Sequence, residues 1–261
     1  MRYLRLLALF ARTSFLTELE YRANFIAQAL VSLSFVGATF TTTLVLFSHT
    51  ERVGGWRYDE ALIVASIYVI VDGLIISVLQ PNVKRIIEMV RDGTMDFTLL
   101  KPVNAQFMVS ARHISSSGLI EIAAGLALLG VALTRLNYQP DAASVASFAF
   151  MFTLGLAMVY SIWIAMATTS FWFVKVGNLT ELFNALFETG RFPISAFRGV
   201  IRAGLTFVVP VAFITTFPAQ AVLRTIEPGN MAMGVGMALA ALALSAAFWR
   251  YAIRSYSSAS S

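Results

Sequence analysis

The sequence predicts an all-α integral membrane protein. Six transmembrane helices follow an N-terminal interfacial helix, a short cytoplasmic helix lies between spans two and three, and a re-entrant element precedes span six. Three observations predict this. Of 261 residues, 58% are hydrophobic and 13% charged, where an ordinary soluble domain carries about 25% charged residues. The mean hydropathy of +0.75 leaves too little polar surface to cover a water-soluble globule. Apolar runs of about 20 residues, the length that crosses a bilayer, recur five or six times. The whole chain, 1–261, reads as one membrane domain without a soluble domain or a short-period repeat.

Each element follows from local pattern. Residues 1–23 interleave Leu6, Leu9, Phe10, Leu16 and Leu19 with Arg2, Arg5, Arg12, Glu18, Glu20 and Arg22, the pattern of a helix lying in the interface. The apolar run there is short and ends at Arg12, so it reads as mature sequence rather than a signal peptide. The spans are expected at 24–47, 61–79, 115–133, 144–173, 202–219 and 231–249. Pro81 is expected to close the second. Residues 176–190 are again amphipathic, with Leu179, Leu182, Phe183, Leu186 and Phe187 at helical spacing. Pro210 and Pro218 break the fifth span, and residues 217–226 form the re-entrant element.

Six spans put both termini on one side. The inside segments then carry Arg2, Arg5, Arg12, Arg22, Lys84, Arg85, Arg91, Lys101, Arg112, Lys175, Arg191, Arg198, Arg202, Arg250 and Arg254. The outside loops carry Arg52, Arg57, Arg135 and Arg224. This split of 15 to 4 is the positive-inside pattern of a cytoplasmic N-terminus. It accounts for the net charge of +5 without nucleic acid as a partner.

Chemistry is sparse. There is no cysteine, which excludes disulfides and thiolate catalysis. No glycine is followed by lysine, so no Walker-type loop cradles ATP phosphates. The two histidines, His49 and His113, fall on opposite sides, so no shared metal site is expected. Asp72 lies midway along span two and Glu121 in the first third of span three. An ionised carboxylate at the bilayer centre costs roughly 2.5–3.5 kcal/mol on insertion scales, so each is expected to face protein or water. One reading places them on a substrate path; the other has them bonded to neighbouring hydroxyls.

The polar stretch 82–112 is the most informative. Val83, Ile86, Ile87 and Val90 form one face of a helix and Lys84, Arg85, Glu88 and Arg91 the other. Asn82 is expected as N-cap and Gly93 as the C′ glycine. The polar face either anchors a loop or docks a cytoplasmic partner.

This loop reads Arg91-Asp92-Gly93-Thr94-Met95-Asp96-Phe97-Thr98-Leu99-Leu100-Lys101-Pro102-Val103. With Gly190-Arg191-Phe192-Pro193, Pro210-Val211-Ala212-Phe213 and Phe217-Pro218-Ala219, it resembles the permease subunits of ABC-2 type exporters over essentially the whole chain. The resemblance implies a type V exporter-like fold and an ATPase-coupling surface at Lys84, Arg85, Glu88, Arg91, Asp92, Gly93, Asp96 and Pro102. It implies a second permease, either the same chain or a sibling, and a cytoplasmic ABC ATPase dimer. ATP and Mg then sit on that ATPase and no cofactor on this chain, a non-enzymatic subunit of a bacterial inner-membrane complex. Gly234, Ala238 and Ser245 offer small surfaces for close helix approach. The alternative is an ion-coupled secondary transporter using Asp72 and Glu121. Breaks confined to the fifth span disfavour it, since such folds usually break helices at matching places in two halves.

Overall fold

The computed structural model describes residues 2–19, 22–173 and 177–256. Its elements are α1 (Arg2–Leu19), α2 (Arg22–Ser48), α3 (Tyr58–Leu74), α4 (Gln80–Arg91), α5 (Asp96–Leu99), α6 (Ala105–Ala111), α7 (Ser117–Arg135), α8 (Ala142–Thr168), α9 (Gly177–Phe187), α10 (Gly199–Phe207), α11 (Phe217–Val222) and α12 (Pro228–Ser255). Among the described residues there is no strand, only an isolated bridge between Val53 and Trp56. Among the described residues five helices are long and apolar enough to cross a membrane, or six if α10 and α11 count as one span. Met1, Glu20 and Tyr21 of the expected interfacial region, and Lys175 and Val176 before α9, lie outside the described residues.

The architecture is a bundle around α3. Every residue from Ala61 to Val71 is buried, as a helix apolar all round requires. The α3–α7 packing is backbone against backbone. A β-carbon at Gly73 would stand 2.6 Å from the Gly118 carbonyl oxygen, one at Gly118 would collide with the Gly73 carbonyl, and one at Gly125 would reach Ile70 at 2.7 Å. Lipid tails are as apolar as leucine, so helices in a membrane gain little by hiding apolar surface from one another; close contact of small residues supplies the attraction. Gly234, Ala238 and Ser245 are buried, with Gly234 close to Met151 of α8 and to Phe213.

Pro81 does not close the second span. Tyr58–Arg91 runs as one helical rod of 34 residues. Ile75–Leu79 winds as a π-helix, with the Gln80 N–H bonded to the Ile75 carbonyl. A helical proline lacks the N–H that would bond the carbonyl four residues back and crowds that carbonyl with its ring. Here that carbonyl belongs to Ser77, and the Ser115 N–H bonds it at 2.8 Å. Asn82 consequently lies inside the rod rather than at an N-cap, a position Leu79 takes.

The same device recurs at Ala212–Thr216, a π-helix followed by Phe217-Pro218. Helix breaks are therefore not confined to the fifth predicted span. The segments Gly199–Phe207 and Ala212–Val222 are bent by 68°.

The two ends of the bundle are distinguishable. Ile87, Val90 and Arg91 share a cavity with Phe171, Ser255 and Tyr256. At the other end Asp59 pairs with Arg135 at 2.9 Å, and Arg224 pairs with Asp141. Gly54 lies against Ser195 and Ala196 at this second end. Arg202 lines a cavity there with Thr225 and Glu227. Arg198 and Arg202, expected on the inside, thus lie with the outside loops. Arg191 is within the bundle, its guanidinium 5.7 Å from the centre of the Tyr68 ring. Among the described residues the charge split becomes 11 to 6, which keeps its sign.

Candidate functional site

Two places in the fold concentrate the residues singled out by sequence. The first is the end of the long rod and the loop after it. Val83 and Ile86 are buried, while Lys84, Arg85, Arg91 and Asp92 are exposed and Glu88 is half-buried. The apolar and polar faces therefore divide as the helical period requires. Arg85 pairs with Glu88 at 3.2 Å and Arg91 with Asp92 at 2.9 Å. Exposed pairs of this kind contribute at most about 1 kcal/mol, so a partner can exchange them for its own contacts at little cost.

The rod ends in a Schellman motif. The Thr94 N–H bonds the Met89 carbonyl at 2.9 Å and the Gly93 N–H bonds the Val90 carbonyl at 3.3 Å. This requires a left-handed residue at C′, and Gly93 supplies it with φ +66°. Asp96 opens α5 and is half-buried; Pro102 is exposed beyond it.

Between them, Phe97 and Leu100 project outward, 71% and 82% exposed. Met95 in the same turn is fully buried and fixes the loop to the bundle. Sequence reading missed Phe97 and Leu100 as surface groups. Their spacing of three marked them as one face, but nothing in the chain said that face lacked a neighbour.

The loop returns through α6 to His113. The Asn82 carboxamide accepts from the His113 N–H at 3.0 Å and donates to the His113 carbonyl at 2.6 Å. Its Nδ2 also donates to the Val78 carbonyl at 2.6 Å. One buried side chain thereby holds the start of span three against the break in span two. The Ser14 hydroxyl accepts from the Ile114 N–H at 3.2 Å, which ties α1 to the same junction. Burial and the nearby Arg112 and Arg85 guanidiniums hold the His113 pKa below the usual histidine value.

The second place is the α3–α7 seam. Asp72 and Glu121 come from different helices and fall in the same stretch of the seam, where Gly73 lies against Gly118 and Ile122. Glu121 is 2% exposed and meets Ser32 of α2. Its Oε2 has no hydrogen-bond partner in the described chain. Neither residue lines the cavities described at the two ends of the bundle. The described residues contain no group of three or more His, Cys, Asp or Glu placed to hold a metal.

A bundle of long apolar helices around a buried central helix, with one compact polar loop at one end, defines a multi-pass membrane protein. Residues 33–260 match the model of the ABC-2 family transporter proteins, and the chain belongs to that family. It is thus the membrane-embedded, permease-type component of an ABC transporter, and the family implies partnership with an ABC ATPase. No curated protein and no solved structure matches the chain.

Proposed function

We propose that this chain forms half of the transport path of an ATP-driven exporter, and that the Asn82–Arg91 part of the rod with the loop 92–102 is where the ATPase pushes. The observation that carries the reading is the surface of that segment. Lys84, Arg85, Arg91 and Asp92 project from a helix whose opposite face is locked into the bundle, and Phe97 and Leu100 stand unburied beside them. A polar rim around exposed apolar anchors is the composition of a protein-binding surface.

The mechanism follows from continuity. Residues 58–91 form one rod, so a push on its end reaches Asp72 and the glycine seam without an intervening hinge loop. Shear of α3 against α7 is the expected motion, because packed helices slide more readily than they bend. Asp72 and Glu121 become reachable by substrate when that seam parts. A second permease, the same chain or a sibling, completes the path, and ATP with Mg stays on the ATPase.

Gly177–Arg191 carries the chain between the two ends of the bundle, and Gly199–Val222 dips in and returns. Phe183 packing on Trp163 of α8 and Ser195 lying against Gly54 support this course. The charge split supports a cytoplasmic position for both termini. Lipid, glycan, drug and peptide are the substrate classes in view.

The deciding experiment is a reconstituted complex with the cognate ATPase. Arg85→Glu, Glu88→Lys and the pair Phe97→Ser/Leu100→Ser are expected to insert normally yet lose docking or substrate-stimulated ATP hydrolysis. Variants that assemble, hydrolyse and transport like the parent would reduce this surface to a membrane anchor.

A second reading has a specific observation in its favour. The π-helix and proline break occurs twice, at Ile75–Leu79 and Ala212–Thr216, and Asp72 and the buried Glu121 lie near the first. Ion-coupled secondary transport would then run in vesicles under a proton gradient with no ATPase present. Its absence there leaves the ATP-driven reading standing.

A further inference from the structure

At the end of the bundle opposite α4, the bent α10–α11 pair and the start of α12 surround a cavity of about 500 Å³. Its wall carries one cation and one anion, Arg202 of α10 and Glu227 at the N-cap of α12. Neither forms an ion pair among the described residues. The neighbouring Arg224 and Asp141, by contrast, are paired with each other. Charges of both signs therefore face one space, each free to meet a ligand.

Polar atoms around the space are also unsatisfied. Ser195 Oγ and Gln220 Oε1, both on lining residues, are shielded from solvent and have no hydrogen-bond partner in the described chain. A buried polar atom left unpaired is unfavourable, and a ligand donor or acceptor would offset that cost. Beside the cavity, α10 has two faces. Arg202 and Thr206, four residues apart, line the space, while Val200, Ile201 and Val208 are exposed. In a bilayer such an exposed apolar strip is suited to acyl chains.

We propose that this cavity binds the headgroup of a zwitterionic phospholipid, with its phosphate against Arg202 and its ammonium against Glu227. Its acyl chains lie along Val200, Ile201 and Val208. A neutral sugar uses neither charge, and an anionic headgroup meets repulsion from Glu227. A zwitterion answers both. The proposal stands apart from ATPase docking, since the site is at the other end of the bundle and needs no nucleotide.

The test uses the purified full chain in a non-ionic detergent, titrated calorimetrically with dihexanoyl phosphatidylethanolamine, dihexanoyl phosphatidylglycerol and soluble O-phosphoethanolamine. The ethanolamine lipid is expected to bind best. Arg202→Gln should weaken binding of both lipids by about tenfold, the loss of one charge-assisted contact. Glu227→Gln should weaken the ethanolamine lipid alone and abolish its preference over the glycerol lipid. Both side chains are exposed, and matching helical circular dichroism of the variants establishes that they fold. Equal affinity of the parent for the two lipids, or unchanged binding in both variants, overturns the site. O-phosphoethanolamine binding as tightly as the lipid overturns the amphiphile, because the α10 strip then contributes nothing.

Discussion

The Asn82 carboxamide holds both backbone polar groups of His113, accepting at 3.0 Å and donating at 2.6 Å. Asn82 is one residue past Pro81, where the rod would otherwise be weakest. The same asparagine bonds the Val78 carbonyl, so one side chain fastens the start of the next span to the helical turn beside the proline break. Asn82→Ala leaves the His113 N–H and carbonyl without these partners. The expected loss is about 2–4 kcal/mol, from leaving more than one shielded polar group unpaired. Thermal unfolding in detergent reads this loss, and a Tm equal to the parent's would remove Asn82 from its clamping role.

Gly118→Ala should be among the most damaging small substitutions. Its new methyl collides with the Gly73 carbonyl, a backbone atom that cannot rotate away. Overpacking of this kind costs about 1–3 kcal/mol. Gly204→Ala is the control, because nothing lies within 4 Å of a β-carbon there. A lowered Tm for the first and none for the second is the expected pair of results.

Gly93→Ala should destabilise the end of the rod by roughly 1 kcal/mol, since φ +66° is a strained conformation for alanine. Gly93→Asn should recover part of the loss, because asparagine tolerates the left-handed region better. Hydrogen exchange at the Thr94 amide, which closes the motif, reports it locally. Equal exchange in parent, alanine and asparagine variants would contradict the strained cap.

His113 gives the pH dependence. Burial first, then Arg112 and Arg85, depress its folded pKa, while Glu88 opposes them. The unfolded chain therefore takes up the proton first as pH falls. The contribution to stability is present above about pH 6.5, the unperturbed histidine value, and is lost as pH falls below it. His113→Gln should flatten the Tm profile between pH 7.5 and 5. An unchanged slope would show that other groups set it.

Sidedness is accessible because the chain has no cysteine of its own. A cysteine at Lys101 should be protected from an impermeant maleimide in intact cells, while one at Gly55 should label. Labelling of the first and protection of the second would invert the orientation.

Sequence by itself determined the class of protein and the helix content. Composition and run length force apolar helices, since an unsatisfied backbone cannot remain in lipid. It also determined the two faces of the 82–91 helix and the glycine that ends it, because both depend on the 3.6-residue period and local backbone sterics. It indicated a broken segment near Pro210 and Pro218 for the same local reason.

Tertiary structure decided the rest. Whether Pro81 ends a helix depends on whether the freed Ser77 carbonyl finds a donor, and that donor is the Ser115 amide from the next span. Asp72 and Glu121 lie 49 positions apart, and their place in the same stretch of the seam depends on the register set by Gly73, Gly118 and Gly125. Arg198 and Arg202 changed ends because Ser195 packs on Gly54, a contact no window of apolar residues can reveal. Local propensity is written in neighbouring residues, whereas register and sidedness are fixed by partners distant in the chain.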